Sequence, residues 1–184
     1  MSHLGRLRDT LARQPLSLTT GLASLLIVMA AAQVDTTVQA NSSSPLTADQ
    51  ARKIVSPFYT AMNRPAVKEV GELISRATTS DWQSCRANDG CLSRDAAVTA
   101  IERLGADVPD LAWAVIDVNV ASLETIVVRA EATGTPVHEF DGVPPSGRRF
   151  RVMSIDIHTV RDGKIARSYH VEDWAGAQHQ LSVP

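Results

Sequence analysis

This 184-residue chain lacks an excess of positive charge: 18 Lys and Arg stand against 20 Asp and Glu. Because a phosphate backbone is bound through clustered basic residues, we expect no nucleic acid partner. The sequence also lacks internal repeats and low-complexity segments, and it contains only two cysteines. Its 44% of hydrophobic residues is enough for a single core, so the composition indicates an ordinary globular domain.

The N-terminal region has the pattern of an export signal. Three arginines precede an uncharged, largely apolar run over residues 14–34, and small-residue cleavage sites follow it. Cleavage after Ala32 or after Ala40 fits, and we prefer Ala40. This predicts a signal peptide (1–40), a linker (41–46) and a domain (47–184) of an exported, periplasmic or secreted protein. An uncleaved membrane anchor is the alternative, because roughly 17–20 apolar residues can span a bilayer.

The two cysteines, Cys85 and Cys91, flank the sequence Asn88-Asp89-Gly90, which is typical of a turn. Such a turn can bring the two Cα atoms within reach of a disulfide, and export favours that oxidation state. Redox activity is the alternative, although a redox pair is more often spaced by two residues. Two thiolates without a nearby histidine do not complete a zinc site, so we expect no metal.

Helical signals come first in the domain, and strand signals follow. Thr47 and Gln50 form a capping box before one amphipathic helix. Pro65 suits the first residue of a second helix, and a third is expected to begin at Ser93 and to stop at Gly105. The segments 111–122 and 124–133 are rich in Val, Ile and Trp and predict a strand pair.

A mixed polar and apolar face is expected on the strand before Asp162-Gly163. Alternation between residues 149 and 159 places Asp156 and His158 on the same face as Phe150, Val152 and Ser154. A buried, unpaired ionisable group is costly, so this face suits the wall of a lined pocket. A solvent-exposed face is the alternative. Since His158 lies near the turn, we expect it to be exposed.

The turn type determines which residues meet across this hairpin. A tight two-residue turn at Asp162-Gly163 would place Asp156 on the same face as Tyr169. A three-residue turn that includes Arg161 would instead pair Val160 with Lys164, and we favour it. It places Asp156 opposite Ser168 and makes Asp156 and His170 diagonal neighbours on one face. Arg167 and Tyr169 would then lie on the outer face.

Three segments resemble one known family: ATGTPVHEFDGVPPSGRRFRV, IDIHTVRDGKI and VEDWAGAQHQL. They look like conserved parts of the SnoaL-like polyketide cyclases (ester cyclases), which belong to the nuclear transport factor 2-like superfamily. The resemblance covers roughly residues 47–181. It implies a cone-shaped α+β fold, with three N-terminal helices packed on a curved antiparallel sheet and a short C-terminal helix. We expect a four-stranded antiparallel meander in this sheet. Members of the superfamily often pair through the sheet, so a homodimer is an alternative use of its outer face.

The resemblance also implies a reaction. Well-understood cyclases of this type close a ring by an aldol condensation without a cofactor, using a His before the turn and an Asp after it. In this chain the matching positions are Asp156 and His170, with the two residue types exchanged. We expect them to be catalytic, with Asp156 as the partner that orients His170. Each also has a plainer interpretation as a satisfied polar residue of the sheet.

The remaining candidate residues concern ligand binding. Ser154 lies on the pocket face, and four aromatic residues are candidates for lining the pocket, although they are more often core residues at such spacings: Phe58, Tyr59, Trp82 and Trp113. Asp173 is a further candidate, with a plain alternative role as the N-cap of the last helix.

Together these features favour acid/base chemistry without a cofactor. The substrate would be a hydrophobic carbonyl or ester compound, and the reaction an aldol-type cyclisation, isomerisation or hydrolysis. A non-catalytic exported protein that binds a small hydrophobic ligand in the same pocket is the alternative. Export favours that alternative, because polyketides are normally tailored inside the cell.

Overall fold

The computed structural model describes residues 45–182. The predicted signal peptide (1–40) and most of the predicted linker lie outside the described residues, so these assignments stay predictions. Within residues 45–182, none of the helices is long and apolar enough to cross a membrane.

Four α-helices and six strands make up the described domain. In chain order they are α1 (Ala48–Met62), α2 (Val70–Ala77), β1 (Thr78–Ala87), β2 (Gly90–Ser93), α3 (Arg94–Asp107), β3 (Ala112–Ser122), β4 (Thr125–Gly134), β5 (Phe150–Arg161), β6 (Lys164–Glu172) and α4 (Trp174–Ser182). The strands form one sheet in the order β2-β1-β6-β5-β4-β3. The predicted α+β class is therefore confirmed.

The predicted four-stranded antiparallel meander is present as β3 to β6, but it is only part of the sheet. The sheet has two further strands, β1 and β2, and it is mixed because β1 pairs with β6 in parallel. The other neighbouring pairs are antiparallel, including the predicted pair of β3 and β4. The parallel pairing places β1 beside β6, which carries the predicted site residue His170.

The helix starts follow from their capping residues. The Thr47 hydroxyl accepts from the backbone N–H of Gln50, and the side-chain Oε1 of Gln50 accepts from the backbone N–H of Thr47, as the capping box predicts. Ser93 caps α3 as predicted. The second helix was placed too early, since Pro65–Val67 forms only a 3₁₀ turn. Gly105 does not stop α3 but is buried in it, against Pro65, so the glycine permits close packing there.

The hairpin of β5 and β6 turns differently from the prediction. Asp162 and Gly163 both have positive φ (53° and 72°), and Arg161 pairs with Lys164, which is the tight two-residue turn. A register shift follows between Val160 and Thr159, where Ala166 is the extra residue of a bulge. This shift changes which residues pair along the rest of the hairpin.

Because of the bulge, Asp156 pairs directly with His170 rather than with Ser168. The actual register differs from the predicted one by two residues. A shift of two preserves the faces, so both side chains still point to the inner side, as predicted.

The inner face of the sheet forms the core with the helices. Along β5 every second residue is buried, which confirms the predicted alternation. The outer face exposes several apolar side chains: Met153, Ile157, Tyr169 and Val171. Such a face is compatible with the predicted homodimer, which stays a prediction.

Candidate functional site

A cavity of about 380 Å³ opens between the helices and the inner face of the sheet. Most of its wall is apolar, with aromatic side chains from both layers: Phe58, Trp82, Trp113, Phe140 and Trp174. Ser84, Asp156, His170 and Glu172 form one polar part of the wall, and further charged residues also line the cavity: Arg86, Arg103, Asp107, Glu139 and Asp141. The cavity therefore offers a largely apolar body with polar groups in its wall, as small-molecule sites do.

The structure brings five of the eight residues predicted to form the site to this cavity: Phe58, Trp82, Trp113, Asp156 and His170. Three others are not among the described residues that line it. Ser154 is fully buried and accepts the indole N–H of Trp113 at 3.1 Å. Tyr59 lies behind Asp156. Asp173 accepts the N–H of Gly176 at 2.9 Å, which is its plainer role as a helix cap.

Asp156 is a buried carboxyl group, only 3% exposed. Its Oδ2 accepts a hydrogen bond from the Tyr59 hydroxyl of α1 at 2.9 Å. Burial raises the pKa of Asp156 to about 7, against the lowering effect of the Tyr59 hydrogen bond and of His170, while the charge of Glu172 raises it further. A carboxyl group with this pKa exchanges protons near neutral pH, which its ordinary pKa of about 3.9 would not allow.

Behind Asp156 lies a continuous chain of buried hydrogen bonds. His158 is completely buried, so the expectation that it is exposed was wrong. Its Nε2 lies 3.1 Å from the Tyr59 hydroxyl, and its Nδ1 lies 2.8 Å from Ser168 Oγ. Ser168 Oγ also accepts the indole N–H of Trp82 at 3.0 Å. Burial lowers the pKa of His158 to about 3, so the ring is neutral at physiological pH.

The residues at the two ends of this chain of hydrogen bonds determine which atoms donate along it. At one end the Trp82 indole can only donate. At the other end the Tyr59 hydroxyl gives its hydrogen to the carboxylate, so its oxygen is free to accept from His158 Nε2–H. A neutral ring with its proton on Nε2 then accepts at Nδ1 from the Ser168 hydroxyl. All the donors in the chain therefore point towards Asp156, and Tyr59 presents its hydrogen there.

His170 has different partners from those predicted. Its Nδ1 lies 2.8 Å from Glu172 Oε1, and its Nε2 lies 3.0 Å from Ser84 Oγ. Glu172, whose side chain is 6% exposed, is fixed further by the Trp174 indole at 3.1 Å. The group that orients His170 is thus Glu172, and the prediction that Asp156 does so was wrong. Asp156 and His170 share the cavity wall without a hydrogen bond between them.

Asp156, His170 and Glu172 each have one possible metal-ligand atom within 4.8 Å of the others. Two carboxylates and an imidazole could hold a divalent cation. Both ring nitrogens of His170, however, already have hydrogen-bond partners, so a cation would have to displace one of them. The arrangement fits a hydrogen-bonded acid/base cluster better, and the expectation of no metal stays a prediction.

Two residues of this cluster, Ser84 and Glu172, were not predicted from the sequence. Glu172 follows His170 by two positions, so simple alternation along β6 already places both on one face. Ser84 could not be found in this way, because it lies on β1, a strand that the sequence analysis did not recognise. Its approach to His170 depends on the parallel pairing of β1 with β6.

The predicted disulfide between Cys85 and Cys91 is present. The two residues pair across β1 and β2, with Cα atoms 4.1 Å apart, and Asn88 and Asp89 form the turn between the strands. The bridge closes the end of the hairpin that carries Ser84 and Arg86, and both of these residues line the cavity.

Comparison with known structures gives a consistent fold. TsrD from Streptomyces laurentii is 24% identical, with a TM-score of 0.64, over 74% of this chain and 98% of its own. IdmH from Streptomyces antibioticus is 25% identical, with a TM-score of 0.61, over 73% and 99%. A SnoaL-like protein from Jannaschia sp. CCS1 is 23% identical, with a TM-score of 0.65, over 74% and 94%. The fold is thus the nuclear transport factor 2-like fold.

A search of curated proteins found no match. The sequence profile of the SnoaL-like polyketide cyclases, in contrast, matches residues 53–181, which include both the cavity and its polar cluster. This match covers well over half of the chain and agrees with the resemblance found in the sequence. The chain therefore belongs to the SnoaL-like polyketide cyclase family.

Proposed function

We propose that this protein catalyses proton transfer at a hydrophobic carbonyl compound without a cofactor, with Asp156 as the general base. The observation that carries the proposal is the position of Asp156, a buried carboxyl group with a pKa of about 7 on the wall of an aromatic cavity. General bases work best when their pKa lies near the working pH. Membership of a cyclase family supports the same kind of chemistry.

The first step would be removal of a proton from the carbon beside the carbonyl group. Ionised Asp156 accepts this proton, and negative charge develops on the carbonyl oxygen. We assign His170 to that oxygen: in its doubly protonated form the ring, which Glu172 orients through Nδ1, can donate its Nε2–H to the oxygen in place of the contact with Ser84. The resulting enolate could attack a second carbonyl group, as in an aldol-type cyclisation, or be protonated elsewhere, as in an isomerisation.

The lining of the cavity supports a flat, apolar substrate. Aromatic rings surround the space on several sides, and Phe140, Phe150 and Trp174 pack against one another at one end. Such walls contact the face of a ring system without requiring polar groups from it. An aromatic or polycyclic ketone or ester is the class of compound that this cavity suits.

Hydrogen exchange of 2-tetralone in D₂O tests the proposal directly. This bicyclic ketone is small enough for the cavity, and mass spectrometry reports the deuterium that enters beside its carbonyl group. We expect wild-type protein to accelerate exchange over buffer and Asp156→Asn to reduce the acceleration by about 100-fold or more. Asp117→Asn makes the same chemical change at an exposed ion pair and is the matched control. Equal acceleration by all three proteins would contradict the proposal.

The alternative is a protein that binds hydrophobic molecules without changing them. The apolar lining of the cavity would serve that function equally well. Calorimetric titration with 2-tetralone separates the two functions: saturable binding without accelerated exchange identifies a carrier.

We also propose that the protein is exported and cleaved after Ala40. The disulfide between Cys85 and Cys91 supports this, because disulfides persist mainly in oxidising compartments. Expression of the full chain in a Gram-negative host, followed by fractionation and N-terminal sequencing, tests it. Mature protein in the periplasm beginning at Asn41 is the expected result. Uncleaved protein in the membrane fraction would indicate the anchor instead, and cytoplasmic protein would contradict both.

A further inference from the structure

Ser84, His170 and Glu172 form a linear series of hydrogen bonds on the cavity wall. Ser84 Oγ lies 3.0 Å from His170 Nε2, and His170 Nδ1 lies 2.8 Å from Glu172 Oε1. The order is hydroxyl, imidazole and carboxylate, with one ring nitrogen for each neighbour. This order is what an activated nucleophile requires: a base within reach of the hydroxyl and a third group that orients the base.

The carboxylate determines the form of the ring. Glu172 can only accept when ionised, so His170 holds its proton on Nδ1 and donates it to Glu172. Nε2 then carries a lone pair and accepts the hydroxyl hydrogen of Ser84. Glu172 is itself held by the Trp174 indole through its other oxygen, Oε2, at 3.1 Å. In its neutral form the ring therefore has the tautomer that can remove a proton from Ser84.

Ser84 borders the cavity, although its residue is only 9% exposed. It lines the same cavity as His170 and Glu172, and it reaches them because β1 and β6 run side by side. On this wall, the carbonyl carbon of a bound ester could approach Ser84 Oγ.

We propose that Ser84, His170 and Glu172 are a nucleophilic triad that transfers acyl groups from hydrophobic esters to water. Ser84 Oγ attacks the ester carbonyl carbon while its proton passes to His170 Nε2. The bond from that carbon to the alkoxy oxygen breaks, and His170 gives the proton to the leaving alcohol. Water then attacks the acyl-Ser84 ester and loses a proton to His170. The bond to Oγ breaks, the acid leaves, and Ser84 regains its proton.

The same wall contains groups for the negative oxygen that develops during these steps. Asp156 belongs to the same cluster as His170 and Glu172, and in its protonated form it can donate a hydrogen bond. Arg86 lies two residues after Ser84 on β1 and lines the same cavity with a cationic group. This activity differs from the proposed proton transfer, in which Asp156 must be ionised and no covalent bond to the protein forms.

Burst kinetics with 4-nitrophenyl hexanoate test the triad. We expect one equivalent of 4-nitrophenolate per protein chain to be released rapidly before slower turnover. Acid quenching during the burst, followed by peptide mapping, should find the hexanoyl group on Ser84. Ser84→Ala should show neither the burst nor the adduct. Ser80→Ala, an exposed serine on the same strand, is the matched control and should retain both.

Glu172→Gln separates the triad from a structural role of these residues. The amide retains the size of the side chain but no longer stabilises the protonated ring, so we expect acylation of Ser84 at least 100-fold slower in a folded protein. Absence of a burst and of an adduct in wild type, or an adduct on another residue, would overturn the proposal. Exchange of 2-tetralone requires no adduct. Failure of the triad with intact exchange therefore removes only this inference, whereas acylation without exchange removes only the proposed function.

Discussion

The hydroxyl of Tyr59 lies 2.9 Å from Asp156 Oδ2, although 97 positions of sequence separate the two residues. This contact joins the first helix to the central strand of the sheet at the polar end of the cavity. It supplies the buried carboxylate with a donor that does not come from solvent. The ease with which Asp156 loses its proton depends on this donor and on the groups that hold it in place.

Replacement of Tyr59 by Phe should raise the pKa of Asp156 further above 7. The phenol stabilises the ionised form, and a hydrogen bond to a charged group contributes about 1.5–3 kcal/mol, which corresponds to a shift of about 1–2 pKa units. The pKa can be followed from the ¹³C chemical shift of the Asp156 carboxyl group. Exchange of 2-tetralone at pH 7 should slow accordingly. An unchanged Asp156 titration would show that Tyr59 does not act on the carboxylate.

The direction of the donors in the buried series of hydrogen bonds from Trp82 to Asp156 predicts a single tautomer for His158. In ¹⁵N NMR spectra, Nε2 should appear protonated and Nδ1 unprotonated across the neutral pH range. The opposite tautomer would turn the Tyr59 hydroxyl away from Asp156 and contradict the assigned direction.

Because His158 bridges two buried hydroxyl groups, two variants at this position should differ in their free energy of unfolding. His158→Leu removes the hydrogen bonds that the hydroxyls of Tyr59 and Ser168 make to the imidazole ring. Each buried group that loses its bond should destabilise the fold by about 1–3 kcal/mol. His158→Gln retains one donor and one acceptor, so we expect a smaller loss. Urea unfolding of both variants measures the difference, and equal losses would indicate that only the shape of the side chain matters.

Asp156 should also make stability depend on pH. Its pKa is raised from about 3.9 in the unfolded chain to about 7 in the fold, so the native state binds more protons between these values. The contribution of Asp156 to the free energy of unfolding is complete below pH 4 and is lost as the pH rises through 7. The lowered pKa of His158 acts in the opposite direction, so wild type must be compared with Asp156→Asn, which retains His158.

In this comparison the free energy of unfolding of wild type, minus that of the variant, should fall between pH 4 and pH 7.5. The fall should be on the order of a few kcal/mol. Other charged groups near Asp156, including His170 and Glu172, are common to both proteins. A difference that stays constant or rises would mean that Asp156 is already ionised at low pH.

Gly105 should not tolerate a methyl group. A Cβ at this position would lie 2.6 Å from Pro65 Cγ and 2.8 Å from the backbone nitrogen of Ala66, so α3 would have to move. We expect Gly105→Ala to destabilise the protein by about 1–3 kcal/mol despite the better helix propensity of alanine. Gly71→Ala, where the nearest atom is 3.8 Å away, should be neutral or stabilising. Thermal unfolding of both variants checks the contrast.

Local patterns in the sequence predicted the parts of the fold that depend on neighbouring residues. The capping box at Thr47, the cap at Ser93 and the alternation along β5 all depend on hydrogen bonds or faces within one element. The segment of β1 gave no such signal, because its residues are largely polar and its parallel partner, β6, lies far along the chain. Its contribution to the site, Ser84, was therefore hidden.

The candidate site shows the same division between local and long-range information. Asp156 and His170 were placed on one face although the turn was wrong, because the tight turn and the bulge together left the actual register two residues from the predicted one. Their partners could not be predicted in the same way. Tyr59 reaches Asp156 from a helix, and a histidine close to a turn gives no sign of the burial that β1, β6 and α1 impose on His158.

The assignment of Asp156 as the general base is tested most directly by a parallel titration of its carboxyl group and of the proposed reaction in wild-type protein. The ¹³C shift of the Asp156 carboxyl group gives its pKa, and the exchange rate of 2-tetralone gives the pH at which the base becomes active. We predict that both midpoints coincide at about 7. An Asp156 that titrates near its ordinary pKa of about 3.9, or an exchange rate that does not follow its ionisation, would contradict its assignment as the general base.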